Sequence, residues 1–181
     1  QTPNPKPQTP NPKPPNPNPK PQKIKKKHHS LTLDLIPNPD IIATIKIKYP
    51  NLFVAAAPLS AAIWTDSDCE TMQDGMYNTY FGSSIGKSLK GKDRLTPQWY
   101  ANSVFSIVDK KTVEELASVK YWIDCGDDDF LTVGNAQLHI ALTNKKVAHE
   151  FRIRDGAHNW TYWRTGVIDG LSFISDNFRA K

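Results

Sequence analysis

The chain has 181 residues, enough for one domain, and 38% of them are hydrophobic, which builds a core only if they are concentrated. Its formal charge is +5, but residues 1–29 hold seven lysines and no acid; the remainder sets sixteen basic side chains against eighteen acidic ones, which excludes a general binder of phosphate backbones. No apolar run reaches the length of about 18 residues that a membrane span needs, the N-terminus has no apolar signal-peptide core, and Cys69 and Cys125 fit neither a disulfide framework nor a zinc motif.

In chain order, residues 1–22 repeat TPNPKPQ, TPNPKPP and NPNPKPQ. Ten of the fifteen prolines fall in residues 1–29, where Ile24 is the single large aliphatic side chain. Such a stretch cannot bury enough apolar surface to offset the entropy of ordering it, so residues 1–30 are expected to be a disordered, polyproline-like tail and residues 31–181 the folded domain. Lys25, Lys26 and Lys27 suit an acidic surface, and the adjacent His28 and His29 alone make a poor metal site.

Pro37 and Pro39 interrupt the first apolar stretch, and the following IIATIKIKYP alternates at Ile45, Ile47 and Tyr49, predicting a short strand or edge segment. NLFVAAAP, closed by Pro58, reads as a strand covered on both faces. Residues 64–103 are polar, rich in Gly and Ser and dotted with Trp64, Tyr77, Tyr80, Phe81, Trp99 and Tyr100, the composition of an irregular, aromatic-lined insertion beside a site. TVEELASV then predicts a helix, VKYWIDCG a strand ended by Gly126, and residues 135–146 a helix with Leu138 and Leu142 on one face and lysines at its C-terminal end. VAHEFRIRD predicts a last strand, Gly156-Ala157 a turn, and the rest a helix with a stripe of Trp163, Val167, Leu171, Ile174 and Phe178. Strand, helix, strand, helix in succession predicts an α/β domain with parallel pairing and right-handed crossovers.

Two turns past predicted strand ends gather titratable residues, at the edge where open α/β sheets place their sites. CGDDDF carries Asp127, Asp128 and Asp129, whose charges repel one another; DGAHNW carries His158 beside Trp160, Tyr162 and Trp163. A carboxylate and a histidine at neighbouring strand ends suit acyl transfer, in which the acid orients the imidazole. The same residue types also fit a structural loop histidine and an acidic turn that caps a helix or holds a cation.

KYPNLFVAAAPLSAA, YWIDCGDDDFLTVGNAQLH, VAHEFRIRDGAHNWTYWR and LSFISDNF, in that order and spacing, resemble the putative esterase family of α/β-hydrolases, which includes esterase D and feruloyl and other carbohydrate esterases. The resemblance runs from Tyr49 to Phe178 and implies the C-terminal portion of an α/β-hydrolase fold. It implies Asp129 as triad acid, with Asp128 as fallback, and His158 as general base. It also implies a small-molecule or polysaccharide-linked ester as substrate and neither cofactor nor metal. Trp160, Tyr162, Ser60 and Trp64 are the candidate substrate-binding residues, and Trp163 fits either a pocket wall or the core.

The family's G-x-S-x-G elbow lies some fifteen residues before KYPNLF, where this chain reads IPNPDIIATIKIKYP with neither serine nor glycine, so the nucleophile and the adjoining oxyanion amide are expected to be missing. Ser60 follows a strand but lacks flanking glycines. The expectation is therefore a hydrolase domain with a poor esterase activity or none, with a non-catalytic carbohydrate- or aryl-binding module as the alternative. A third reading is a tethered piece whose basic tail docks an acidic partner. Unpaired sheet edges predict association or poor solubility. Oligomeric state is open, and so is compartment, since the related carbohydrate esterases are exported while the formylglutathione hydrolases are cytosolic.

Overall fold

The computed structural model describes residues 41–179, so the expectations for residues 1–40, among them the proline-lysine tail, lie outside the described residues. The three strands β1 (Ala55–Ala56), β2 (Lys120–Gly126) and β3 (Glu150–Arg154) pair in the order β1-β2-β3, all parallel. Ala55 and Ala56 lie beside Lys120 and Tyr121, and Trp122 to Gly126 lie beside Glu150 to Arg154. An isolated bridge from Leu59 to Asp124 continues the β1 edge towards the strand ends. Helices cover both faces, as the strand-helix alternation requires, and the architecture is the expected α/β one.

Strand periodicity assigns the two faces. Tyr121, Ile123 and Cys125 point to one side, where Tyr121 and Ile123 join Val104, Ile107 and Val108 of α5 (Val104–Lys110), Leu116 of α6 (Val113–Ala117) and Leu138 and Leu142 of α7 (Thr132–Asn144) in one buried cluster. Each fully buried leucine there contributes about 1.5–3 kcal/mol relative to an exposed one. Thr112 starts α6 with a capping box, its hydroxyl accepting from the Glu115 amide while the Glu115 carboxylate accepts from the Thr112 amide. Trp122 and Asp124 point to the other side, where Trp122 meets Phe173 of α8 (Trp160–Arg179) with ring centroids 5.8 Å apart.

Three expectations need correction. IIATIKIK is helix α1 (Ile41–Lys48), not a strand: Ile47 is fully buried in the main cluster, and the Lys48 ammonium donates to Asn102 at 2.9 Å, docking the segment against its helical neighbours. Local β-propensity loses here to tertiary packing. Residues 64–103 are only partly irregular. They hold α2 (Asp66–Thr71), α3 (Asp74–Tyr80) and α4 (Pro97–Asn102) around a second cluster of Cys69, Met72, Tyr77, Phe81 and Trp99. Arg94, buried at its centre, donates to the carbonyls of Leu89, Cys69 and Met72 and to Asp74 at 2.5–3.1 Å.

Much of the stripe expected to bury α8 is outside: Leu171 and Phe178 are 60–61% exposed and Val167 is 39% exposed. The face that meets the sheet is Tyr162, Gly166, Gly170 and Phe173. A methyl at Gly166 would sit 3.1 Å from the Asp124 carboxylate, and one at Gly170 would sit 3.2 Å from the Ala57 side chain. Glycine lets the helix approach this closely, which is why a count of apolar side chains selects the wrong face.

Candidate active site

The two titratable turns meet past the C-terminal ends of β2 and β3. The Asp127 amide donates to the Arg154 carbonyl and the Asp128 amide to the Gly156 carbonyl, both at 3.0 Å, and the Asp127 carboxylate accepts from the Gly156 amide at 3.0 Å. Gly126 sits so close beneath this junction that a methyl on it would fall 2.1 Å from the Gly156 carbonyl oxygen. Of the three aspartates, only Asp129 turns away from the others. Asp127 and Asp128 are exposed and gather with Asp155, while Asp129 is buried and turned towards the histidine.

His158, in the loop between β3 and α8, donates from Nδ1 to the two Asp129 oxygens at 3.0 and 3.2 Å. Asp129 Oδ1 also accepts from the Leu131 amide at 2.9 Å, which orients the carboxylate from below. A carboxylate only accepts, so the Nδ1 proton belongs to histidine, and in the neutral ring the Nε2 lone pair is left bare. The imidazole is held between Phe130, with centroids 4.9 Å apart, and the edge of Trp163, at 4.8 Å, yet its side chain stays 34% exposed. A ring oriented on one nitrogen and accessible on the other can move a proton.

A cavity opens here, lined by Ser60, Ala62, Trp64, Tyr80, Phe130, Leu131 and His158. Ser60 and Trp64 are therefore brought together with His158 around it. Trp160 and Tyr162 are not among its lining residues. Trp160 is 73% exposed and packs on the edge of Trp163. Tyr162 is buried the other way: its hydroxyl donates to Asp124, and burial together with that carboxylate raises its pKa. Asp128 points to solvent and leaves the contact to Asp129.

Ser60 has a left-handed backbone, φ 49°, and its amide donates to the Asp124 carbonyl at 2.8 Å. Its hydroxyl is buried and accepts from the Trp163 indole at 3.0 Å, so Trp163 joins the serine to the histidine. No helix follows until Asp66, so Ser60 is not at a strand-turn-helix elbow. A G-x-S-x-G string does occur at Gly82–Gly86. Its Ser84 lies in a turn after α3, donates to the Phe81 carbonyl at 3.3 Å, follows a helix rather than a strand, and is not among the cavity-lining residues.

Sequence reasoning missed the buried charge beneath the site. Asp124, wholly enclosed on β2, accepts from Tyr162 and from Arg154, whose guanidinium also reaches Asp169 at 3.4 Å. The signal was an aspartate inside an otherwise apolar strand, since a buried carboxylate demands partners. Phe130 was visible only as a neighbour of the acidic turn, whereas Tyr80 was among the aromatic residues of the insertion.

No family model matches the chain. An acetyl esterase of Caldicellulosiruptor saccharolyticus is 26% identical over 137 residues, which is 71% of this chain and 48% of that protein. Among solved structures, a ferulic acid esterase superposes with a TM-score of 0.57 at 26% identity, covering 75% of this chain and 46% of the other. The fluorophosphonate-binding serine hydrolase F of Staphylococcus aureus, in a substrate-bound form, shares the fold with a TM-score of 0.55 at 20% identity over 75% of this chain and 49% of its own. The chain thus spans about half the length of the proteins it matches.

Proposed function

We propose, from this partial likeness to esterases of the α/β-hydrolase type, that the chain carries the acid and base of a serine-type carboxylic-ester hydrolase. Asp129 would hold the Nδ1 proton of His158 and stabilise the imidazolium when it forms. Nε2 would take the proton of an attacking serine hydroxyl as its oxygen bonds to the ester carbonyl carbon. It would return that proton to the departing alkoxide, and water would then release the acyl group by the same route. The single observation supporting this reading is the two-oxygen contact of Asp129 with His158 beside an aromatic-walled cavity.

No described residue offers a serine at an elbow, so we expect turnover by this chain close to background. Loss of a triad nucleophile ordinarily removes several orders of magnitude of rate. Hydrolysis of p-nitrophenyl acetate tests this: the rate should stay near that of buffer and be unchanged by His158→Ala. Turnover abolished by both His158→Ala and Ser60→Ala would overturn it and make Ser60 the nucleophile.

A second reading is a binding module for aryl or sugar groups. Trp64 supports it by lying tilted beside Tyr80 and Phe130, with centroids 6.1 and 6.3 Å apart, an aromatic wall suited to apolar ligands. Calorimetry with feruloylated and acetylated oligosaccharides decides it, since no heat across the panel removes this reading.

A further inference from the structure

The outer face of α8 carries a row of apolar side chains that stand in solvent. Trp160 is 73% exposed, Val167 39%, Leu171 60% and Phe178 61%. At 3.6 residues per turn, positions 160, 167, 171 and 178 fall within about 20° of one line along the helix. The face that meets the sheet, through Tyr162, Gly166, Gly170 and Phe173, lies about 120° round the helix from that line. The row is therefore separate from the packing that holds α8 to its own domain.

Its spacing is symmetric. Counted from position 169, Val167 and Leu171 each lie two residues away, and Trp160 and Phe178 each lie nine away. Turning the helix end over end about that level exchanges Val167 with Leu171 and Trp160 with Phe178. A two-fold interface requires this exchange, because each contact occurs twice with the partners swapped. The four side chains expose about 500 Å² per copy, so pairing two copies removes about 1,000 Å² from water, the lower end of specific interfaces. A membrane surface fits the row less well. Over residues 160–178 one base, Arg164, stands against Asp169 and Asp176, whereas helices that lie on membranes carry mostly basic polar faces.

We propose that α8 is the isologous interface of a weak homodimer. Two copies of the helix pack antiparallel, with Trp160 of each against Phe178 of the other and Val167 against Leu171. Trp160 also packs on the edge of Trp163, with centroids 5.4 Å apart, and Trp163 touches His158, so the interface begins on the outer side of the wall beside that histidine. The pairing uses none of the Asp129–His158 chemistry and is independent of the function proposed for it.

Sedimentation equilibrium of the full chain over a wide concentration range tests this. Monomers should pair on concentration, and tryptophan emission should move to shorter wavelength as Trp160 leaves water. Val167→Lys or Leu171→Glu, both at exposed positions, should each weaken pairing by about tenfold or more, because each puts an unpaired charge into the contact. An equimolar mixture of the two variants should recover it, since the new ammonium of one copy then meets the new carboxylate of the other while Leu171 meets Val167 across the axis. A monomer at every concentration, pairing unchanged by either substitution, no recovery on mixing, or Leu171-dependent binding to phosphatidylcholine vesicles in place of pairing would each overturn the proposal.

Discussion

Asp124 and Arg94 are both enclosed charges, but they tie the chain together over different distances. Arg94 spends its donors on backbone carbonyls of Cys69, Met72 and Leu89 and on Asp74, all within 25 residues, so it closes one insertion upon itself. Asp124 accepts from Arg154 and Tyr162, 30 and 38 residues further on, and so fastens β2 to β3 and α8 on either side of the loop that presents His158. A local staple stabilises a wall of the cavity; a long-range one sets where Asp129 and His158 meet.

The largest break in that comparison is Asp124→Ala. It strands the Tyr162 hydroxyl and part of the Arg154 guanidinium, and removing one partner of a buried charged pair costs about 3–5 kcal/mol. Urea unfolding should lose that amount, and the His158–Asp129 contact should loosen even where the chain stays folded. Arg94→Ala should cost about 2–3 kcal/mol, because three carbonyls lose a buried donor. Hydrogen exchange should then rise across residues 66–102 while β2 and β3 stay protected, which would separate the two staples.

The Tyr162 phenol sharpens the long-range side. Its pKa is raised in the folded chain, by burial first and by its hydrogen bond to the Asp124 carboxylate second. The stabilisation is therefore complete below the ordinary phenol value of about 10 and is lost as pH rises above it. Tyr162→Phe should cost about 1–2 kcal/mol at pH 7 and flatten the alkaline decline of the melting temperature. A decline of the same slope in the variant would assign the alkaline loss to other groups.

The smallest effect is expected on the outer face of α8. Leu171 is 60% exposed, so Leu171→Ser should change stability by no more than about 0.5 kcal/mol while reducing association in light scattering.

Much of the site was legible because its signals are local. An apolar strand ending in glycine, an acidic turn and a histidine loop before a helix placed Asp129 and His158 at adjoining strand ends, and α7 followed from Leu138 and Leu142. What escaped depends on close approach and distant partners. The isoleucines of residues 41–48 carry strand propensity into a helix, the glycines of α8 mark its buried face without any apolar side chain, and Tyr162 turns to a carboxylate 38 residues away rather than to the cavity. The aromatic residues of 64–103 announced a cavity wall, but the Arg94 staple that makes it ordered is invisible in composition.

The central claim is that Asp129 fixes the His158 proton on Nδ1 and leaves Nε2 bare towards the cavity. Long-range ¹H–¹⁵N NMR of the histidine rings above the imidazole's titration range reads this tautomer directly. The account predicts the Nδ1–H form for His158 in the native chain and its loss or mixing in Asp129→Ala. A dominant Nε2–H form, or a tautomer indifferent to that substitution, would contradict it.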